Sequence, residues 1–332
     1  MTELISRRAV LRTIGMGGLV LTMGSAKAGE CGGVEILLNF DPNSGQLPEN
    51  LAVDRRGNKY IGMSSLGELW KVPADNTTAS PLAAFDIGAG FGVLGVTVTP
   101  QGTAFVCLLT GVGEGDDSAD THGIWKVERD GTRSLFSPLP PTTFPNDLMP
   151  FRDGFLVTDS TGGAVWYVTE GAATPWVTSE LLEGTGSFGF GFPIGANGIV
   201  RGKDGAIYVG VAERGHIVRI PVNQDGSAGT PELFVADDRI FGCDGITTDN
   251  RGNLYVAVIA QNTIVRVNTD KSMKTLATES DGLDSPSDVA FGTSGNEQKS
   301  LFITNFALLN TENPMPGLAT LRVGIPGRPV NG

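Results

Sequence analysis

The sequence repeats one structural unit six times between about residue 35 and the C-terminus. Each copy contains an apolar strand, a turn with glycine, a second apolar strand, a loop, and a third strand with a large apolar residue near its middle. The copies begin 45, 52, 51, 47 and 43 residues apart, at Leu51, Val96, Leu148, Ile199, Ile246 and Val289. This period fits one four-stranded propeller blade per repeat.

The third strands indicate how the units pack and how the ring ends. They alternate apolar and polar residues, so each sheet needs neighbouring sheets to cover its apolar faces. The last repeat stops near Val323 without an outer strand, whereas residues 34–40 form an apolar strand outside the repeats. We therefore predict an all-β, six-bladed β-propeller over residues 29–332 that this N-terminal strand closes. An open solenoid, the alternative, would leave exposed sheet edges. Trp70, Trp125 and Trp166 are predicted to be core residues.

Residues 1–28 have the features of an export signal. Arg7 and Arg8 precede a glycine-rich apolar run from residue 13 to 23, and residues 26–28 offer a small-x-small cleavage site. Paired arginines before such a run resemble a twin-arginine signal. The run is too short to cross about 30 Å of hydrocarbon. We therefore predict a cleaved signal peptide, no stable membrane anchor, and a periplasmic or secreted protein.

The charge and the cysteines limit the possible partners and crosslinks. The whole chain has a net charge of −12, and without residues 1–28 it keeps 20 basic and 35 acidic residues, a net charge of −15. Such a surface repels phosphate backbones and attracts cations, so we expect no nucleic-acid partner. Three cysteines allow at most one disulfide, and Cys107 lies in an apolar run typical of a core strand.

The residues that open each innermost strand carry the candidate chemistry. Because the glycine turn lies at one end of that strand, its first residues should converge on the opposite mouth of the ring. In equivalent register they include Glu49, Asn146, Asn197 and Asp244. Carboxylate and amide oxygens without His or thiolate suit a hard divalent cation, above all Ca²⁺. Turns and strand starts favour Asn and Asp for structural reasons alone, but equivalent placement in separate repeats favours a metal site.

Another set of carboxylates lies at the opposite end of the innermost strands. These residues are next to the glycine turns, where a short acidic side chain stabilises the turn. We interpret them as turn formers and not as ligands: Asp54, Asp153, Asp204 and Asp249.

The repeats and the mouth residues resemble the SMP-30/gluconolactonase/LRE family, whose superfamily includes the paraoxonases and diisopropyl fluorophosphatase. This resemblance covers essentially all of the chain after the signal. It implies that Glu49, Asn146, Asn197 and Asp244 hold a catalytic divalent cation, usually calcium, over the central channel. In paraoxonase-like proteins the residues after the first two ligands hold a second, structural calcium. Here these are Asn50 and Asp147, and Asn50 supplies only a neutral oxygen where a carboxylate is expected.

The resemblance also implies a reaction, which is the metal-assisted hydrolysis of a lactone or another small ester. Asp244 and Glu49 would be its catalytic carboxylates, with Asp244 as ligand and general base. Long loops at residues 110–121, 181–194 and 305–317 are predicted to line the mouth with apolar groups. The substrate-lining candidates are His122, Phe188, Phe190 and Asp288.

Two other functions remain open from the sequence. One is a non-enzymatic binding propeller of the NHL type, since a fold does not determine function. The other is a metal-dependent lyase acting on a cyclic ester, as in virginiamycin B lyase-like propellers. A lyase would need a catalytic histidine in the mouth. His122 is the candidate, although a lone histidine in a loop is more often a solvated bystander.

Overall fold

The computed structural model describes residues 33–88, 90–110 and 120–328. Within them, 24 strands form six four-stranded antiparallel sheets. The predicted all-β, six-bladed propeller is therefore confirmed. The predicted signal at residues 1–28 lies outside the described residues.

Each sheet is built from strands that are mostly consecutive in the chain. The strands are β1 (Val34–Asn39), β2 (Pro48–Val53), β3 (Lys59–Met63), β4 (Glu68–Val72), β5 (Ser80–Ala84), β6 (Gly92–Val98), β7 (Ala104–Leu109), β8 (Gly123–Val127), β9 (Arg133–Pro138), β10 (Pro145–Phe151), β11 (Gly154–Asp159), β12 (Ala164–Thr169), β13 (Ala172–Thr178), β14 (Ala196–Arg201), β15 (Ile207–Val211), β16 (His216–Ile220), β17 (Glu232–Ala236), β18 (Cys243–Thr248), β19 (Leu254–Val258), β20 (Thr263–Val267), β21 (Met273–Ala277), β22 (Pro286–Phe291), β23 (Ser300–Asn305) and β24 (Gly317–Arg322). Short 3-10 helices span Pro42–Ser44, Ser64–Leu66, Glu180–Leu182, Ala212–Arg214, Asp238–Ile240, Ile259–Gln261, Glu279–Asp281 and Gly295–Lys299.

The sixth sheet combines the two ends of the described chain. Its strand order is β1, β24, β23, β22, and β1 pairs antiparallel with β24 from Val34 opposite Leu321 to Asn39 opposite Gly317. In this sheet β1 occupies the outer position that the fourth strand of the repeat holds in the other five.

The innermost strands surround a common axis. Strand β2 contacts β6, β6 contacts β10, and the series continues through β14, β18 and β22 back to β2. The first residues of all six strands therefore lie at one end of the ring, and the glycine turns that follow them lie at the other. We call the first of these ends the mouth.

Apolar side chains between adjacent sheets form the core. Leu69 of the first blade packs with Val106 of the second, and Leu156 of the third packs with Ile207 of the fourth. Burying a side chain of this size stabilises the fold by about 1.5–3 kcal/mol. The predicted core position of the tryptophans is confirmed, because Trp70, Trp125 and Trp166 each pack against one of the buried clusters. Cys107 and Cys243 are buried free thiols.

Each innermost strand changes pairing register close to the mouth. The irregularities fall between Pro48 and Asn50, Val93 and Val96, Pro145 and Leu148, Ala196 and Ile199, Cys243 and Ile246, and Pro286 and Asp288. Bulges of this kind redirect side chains and often lie next to functional sites. The strands therefore begin earlier than the sequence indicated. The bulge interrupts the apolar alternation, so the pattern becomes visible only from Leu51, Val96 and their equivalents.

Candidate metal and catalytic site at the mouth

The four predicted ligands occupy equivalent positions inside the bulged segments of four blades. Glu49, Asn146, Asn197 and Asp244 are 5, 6, 5 and 7 % exposed. Leu94 and Ser287 hold the same position in the second and sixth blades. We call these six residues the mouth ring. Five of its six residues have side chains with an oxygen atom. The sixth, Leu94 of the second blade, is apolar.

The backbone of Glu49 is held by the neighbouring sixth blade. The hydroxyls of Ser287 and Thr304 both donate hydrogen bonds to the Glu49 carbonyl oxygen, the latter over 3.0 Å. Neither hydroxyl engages the carboxylate itself. The first and sixth blades thereby orient Glu49 and leave its side chain available to a ligand.

The carboxylates around the axis influence one another strongly. Burial raises the pKa of Glu49 well above its usual value, and the charges of Asp244, Asp288 and Asp147 raise it further. Burial, then Asp288 and Asp147, likewise raise the pKa of Asp244, which a hydrogen bond from Asn197 partly opposes. Among the described residues, no Lys or Arg contributes to the pKa shifts of these four acids. A bound cation would supply the missing opposite charge.

Two buried oxygens at the mouth have no hydrogen-bond partner. They are Glu49 Oε2 and Asn197 Oδ1. Since buried polar atoms are nearly always bonded, each such atom needs an explanation. Asn197 bonds to Asp244 and leaves its carbonyl oxygen free. Carboxylate and amide oxygens are the donors that Ca²⁺ accepts, so the residues present fit this ion.

The site is not an acidic or histidine cluster of the usual metal-binding type. Over residues 33–88, 90–110 and 120–328, no group of three or more His, Cys, Asp or Glu side chains is arranged to hold a metal ion. The predicted set contains only two carboxylates, and its other two donors are amides. Two surface depressions, around Arg219 and around Phe136, are lined by none of the mouth-ring residues.

The position after the mouth ring braces neighbouring blades. Asn50 Oδ1 accepts from Val96 N over 2.9 Å, Asp147 Oδ2 from Ile199 N over 3.0 Å, and Asp288 Oδ2 from Leu51 N over 2.9 Å. Each bond joins one blade to the next. The other three blades have glycine here, and a Cβ at Gly198 would lie 2.3 Å from the Asp244 carbonyl oxygen. The ring therefore has side-chain braces from the first, third and sixth blades and glycine in the second, fourth and fifth.

These hydrogen bonds give Asn50, Asp147 and Asp288 a bracing role that differs from the roles predicted for them. Asn50 Nδ2 donates to Asp147 Oδ1 over 3.5 Å, so an N–H group faces the carboxylate where a second cation was considered. That arrangement does not fit a second ion. Asp288, expected to line the mouth, is buried and directed at the Leu51 backbone. Burial and the charge of Asp147 raise the pKa of Asp288 to about 8.

His122 is buried and not solvated. It is 8 % exposed and shares a 3.0 Å hydrogen bond between Nε2 and Thr143 Oγ1, while Nδ1 has no partner. Burial lowers the pKa of His122 to about 4, although the charge of Asp159 acts in the opposite direction. The imidazole is therefore neutral at pH 7. His122 lies just before β8, the third strand of its blade.

Phe188 and Phe190 lie on the loop before β14, with ring centroids 6.0 Å apart, and both are half-buried. Their ring neighbours include Phe192 and Phe241. Phe241 was missed by the sequence analysis, as was Glu213, which bonds to this loop. The available signal was the position of Phe241, three residues before Asp244.

Comparisons with known proteins agree with this fold and family. Residues 194–307 match the family model of the SMP-30/Gluconolactonase/LRE-like region, which confirms the resemblance over that segment. A comparison with curated protein sequences found no match. No helix among the described residues is long and apolar enough to cross a membrane.

Solved structures share the architecture at low sequence identity. A luciferin-regenerating enzyme has a TM-score of 0.66 and 15 % identity, covering 89 % of this chain and 97 % of its own. The calcium-binding protein regucalcin from Agrobacterium tumefaciens has a TM-score of 0.60 and 18 % identity, with coverages of 89 % and 94 %. Virginiamycin B lyase from Staphylococcus aureus, solved with quinupristin, has a TM-score of 0.55 and 15 % identity, with coverages of 88 % and 99 %. At these identities the likeness shows the fold alone.

Proposed function

We propose that this chain is a metal-dependent hydrolase that acts on a lactone or another small ester at the mouth of the propeller. The observation that carries the proposal is the pair of buried, unpartnered oxygens on Glu49 and Asn197, beside carboxylates whose charges raise the pKa of Glu49. The family match over residues 194–307 supports a lactonase-type hydrolase. We propose Glu49, Asn146, Asn197 and Asp244 as the ligands of one Ca²⁺.

Each residue of the proposed site has a separate role in such a reaction. A bound divalent cation supplies Lewis acidity at the ester carbonyl. Asp244 accepts a proton from the attacking water as general base, and Asn197 orients the Asp244 carboxylate through their hydrogen bond. Glu49 contributes negative charge that holds the cation, and Ser287 and Thr304 fix its backbone.

The test combines metal analysis with a panel of lactones and aryl esters, assayed with and without a chelator. The proposal expects bound calcium in the purified protein, hydrolysis of at least one ester, and loss of hydrolysis on chelation. Glu49→Gln and Asp244→Asn should lose both calcium and turnover. Asp249→Asn, a buried carboxylate at the opposite end of its strand, is the matched control and should keep both. Turnover that persists in chelator would overturn the proposal.

A lyase acting on a cyclic ester is a second candidate, because His122 is buried, neutral and has an unpartnered Nδ1. Product mass separates the two reactions, since hydrolysis adds one water and elimination adds none. A non-enzymatic binding propeller is the third outcome. It would bind a partner but turn over no ester, with or without the four ligands.

The cellular setting is also part of the proposal. Residues 1–28 are proposed as a twin-arginine-type signal that delivers the folded chain to the periplasm or outside the cell. Strand β1 is proposed to close the ring, and its pairing with β24 supports this role. A small-molecule partner is part of the proposal, and the acidic charge disfavours nucleic acid.

A further inference from the structure

Six phenylalanines gather at the mouth in one continuous surface, which we call the phenylalanine arc. Ring centroids are 5.5 Å apart between Phe241 and Phe188, 6.0 Å between Phe188 and Phe190, and 6.2 Å between Phe190 and Phe192. Phe192 in turn packs 5.9 Å from Phe91 and 5.6 Å from Phe144. These residues precede β6, β10, β14 and β18, so four blades contribute to the arc.

Most of the arc lies outside the protein core, and Phe144 joins it to one of the buried clusters. Phe91 is 46 % and Phe241 37 % exposed, and the other four are half-buried. Soluble proteins seldom leave large contiguous apolar surface exposed unless it binds something. The polar mouth ring beside it resembles the composition of ligand sites, which combine apolar walls with a few placed polar groups.

Two phenylalanines of the arc lie close in the chain to the proposed hydrolytic site. Phe144 lies two residues before Asn146, and Phe241 lies three residues before Asp244. Leu94 extends the apolar side into the mouth ring of the second blade. The first and sixth blades instead bring Glu49 and Asp288 toward the axis. The arc therefore follows the second to fifth blades, whereas the first and sixth contribute no phenylalanine to it. A bound molecule with a polar and an apolar end can place its apolar end on the arc and its polar end at Glu49.

A buried carboxylate fixes the central part of the arc. Glu213 is 4 % exposed and accepts backbone N–H bonds from Thr185, Gly186 and Phe188, over 2.7, 2.6 and 2.9 Å. The loop it holds contains glycines in the left-handed region, with φ of +76° at both Gly186 and Gly189. A glycine-rich loop has high conformational freedom, so three charge-assisted bonds at its base preorganise the phenylalanines that follow.

We propose that the phenylalanine arc binds the apolar acyl or aryl group of the ester substrate, and that Glu213 is the positioning residue for this specificity. This inference rests on the proposed hydrolase function and names its substrate class. The substrate is an ester or lactone with an alkyl or aryl substituent, not a bare sugar lactone. The substituent lies on the arc while the carbonyl faces Glu49 and Asp244.

The first experiment measures kcat/KM for a series of lactones that differ only in the length of an alkyl tail. Each methylene that enters the arc should raise kcat/KM by roughly fourfold until the arc is covered. Phe192→Ala and Phe188→Ala should each lower kcat/KM for the octyl-substituted lactone by about 10-fold through KM. The fall should be clearly smaller for the unsubstituted lactone, which has no tail to contact the arc. Phe234→Ala is the matched control, since Phe234 packs on Tyr208 in the outer part of the fourth blade.

Glu213→Gln tests the positioning role. It replaces one of the two acceptor oxygens with an N–H donor, so at least one of the three backbone N–H groups loses its acceptor and the loop is held less firmly. KM for the octyl lactone should rise by about 10-fold, as for a lost apolar contact. The kcat for this lactone, and both constants for the unsubstituted lactone, should stay the same. A general fall in kcat for both substrates would overturn the positioning role, because misfolding or damage at the mouth ring affects both equally.

A binding measurement separates this inference from the proposed hydrolysis. The probe is an octyl-substituted tetrahydrofuran, which has no ester, and its binding to wild type and Phe192→Ala is measured by calorimetry. Binding that weakens in the variant, without turnover of any ester, supports the arc as an apolar site and overturns the hydrolase. Turnover that is independent of tail length in wild type and variants supports the hydrolase and overturns the arc.

Discussion

The two ends of the innermost strands use the same residue types in different ways. At the glycine-turn end, Asp249 Oδ1 accepts backbone N–H bonds from Arg251 and Asn253, and Oδ2 accepts from the Asn253 amide and the Tyr255 hydroxyl. Asp54 makes the equivalent four bonds in the first blade. At the mouth end, Glu49 is equally buried but keeps an oxygen without a partner.

We interpret this difference in hydrogen-bond satisfaction as what separates the structural turn carboxylates from the proposed metal ligands. Asp54 and Asp249 lie in a repeated Asp-x-x-Gly-Asn-x-Tyr pattern that supplies all four donors from nearby in the chain. The mouth carboxylates lie in bulges, where their neighbours are other acids and amides from distant repeats. A site of the second kind stores unfavourable electrostatic energy that a cation can relieve.

Of the changes considered, Glu49→Gln should reduce turnover the most. If it did not, the mouth carboxylates would not differ from the turn carboxylates in function. We expect loss of calcium and a fall in turnover of about 1000-fold, equivalent to roughly 4 kcal/mol of transition-state stabilisation. Unfolding in chelator should show the variant to be at least as stable as the wild type, because one of several repelling buried charges is gone. A variant that is unstable in chelator would indicate a structural role for Glu49.

His122 should make the protein sensitive to acid. The pKa of His122 is lowered to about 4 by burial, so between pH 6.5 and 4 the unfolded chain binds a proton that the folded chain does not. The free energy of unfolding should therefore fall as the pH decreases from 6.5 toward 4, by up to about 3 kcal/mol from this group. Urea unfolding of wild type and His122→Gln across this range measures the difference. Equal pH slopes would contradict the expectation.

Calcium should stabilise the wild type by an amount that depends on its concentration. At 100 times the dissociation constant, one site that binds only the folded protein adds about 2.7 kcal/mol. Thermal unfolding with calcium or with chelator measures this shift, and magnesium serves as the control ion. Glu49→Gln and Asp244→Asn should show no calcium-dependent shift. An equal shift in these variants would place the ion elsewhere.

Asp249→Asn should have the smallest effect and only on stability. The change turns an acceptor into a donor opposite the Asn253 amide and the Tyr255 hydroxyl, which should cost about 2 kcal/mol in the free energy of unfolding. Turnover per folded molecule and calcium affinity should stay at wild-type values. A loss of calcium affinity in this variant would show that carboxylates at the glycine-turn end also affect calcium binding, contrary to the proposal.

Several features of the site could not be predicted from the sequence. The bulges were invisible because they interrupt the apolar alternation on which strand assignment depends. Asn50 and Asp288 were considered as ligand and lining residues, but they act as braces because the backbone of the neighbouring blade offers them an N–H group. His122 is buried and shares a hydrogen bond with Thr143, which lies 21 residues later in the connection between the second and third blades.

The sequence by itself determined the number of blades, the strand order within most of them, and the equivalent positions of Glu49, Asn146, Asn197 and Asp244. Periodic apolar patterns and glycine turns are local properties, and repetition multiplies their signal. Only the tertiary structure decided which polar atoms find partners and which stay free, and how phenylalanines from four blades assemble into one surface. Those outcomes depend on distances between segments that are far apart in the chain, and no local pattern encodes them.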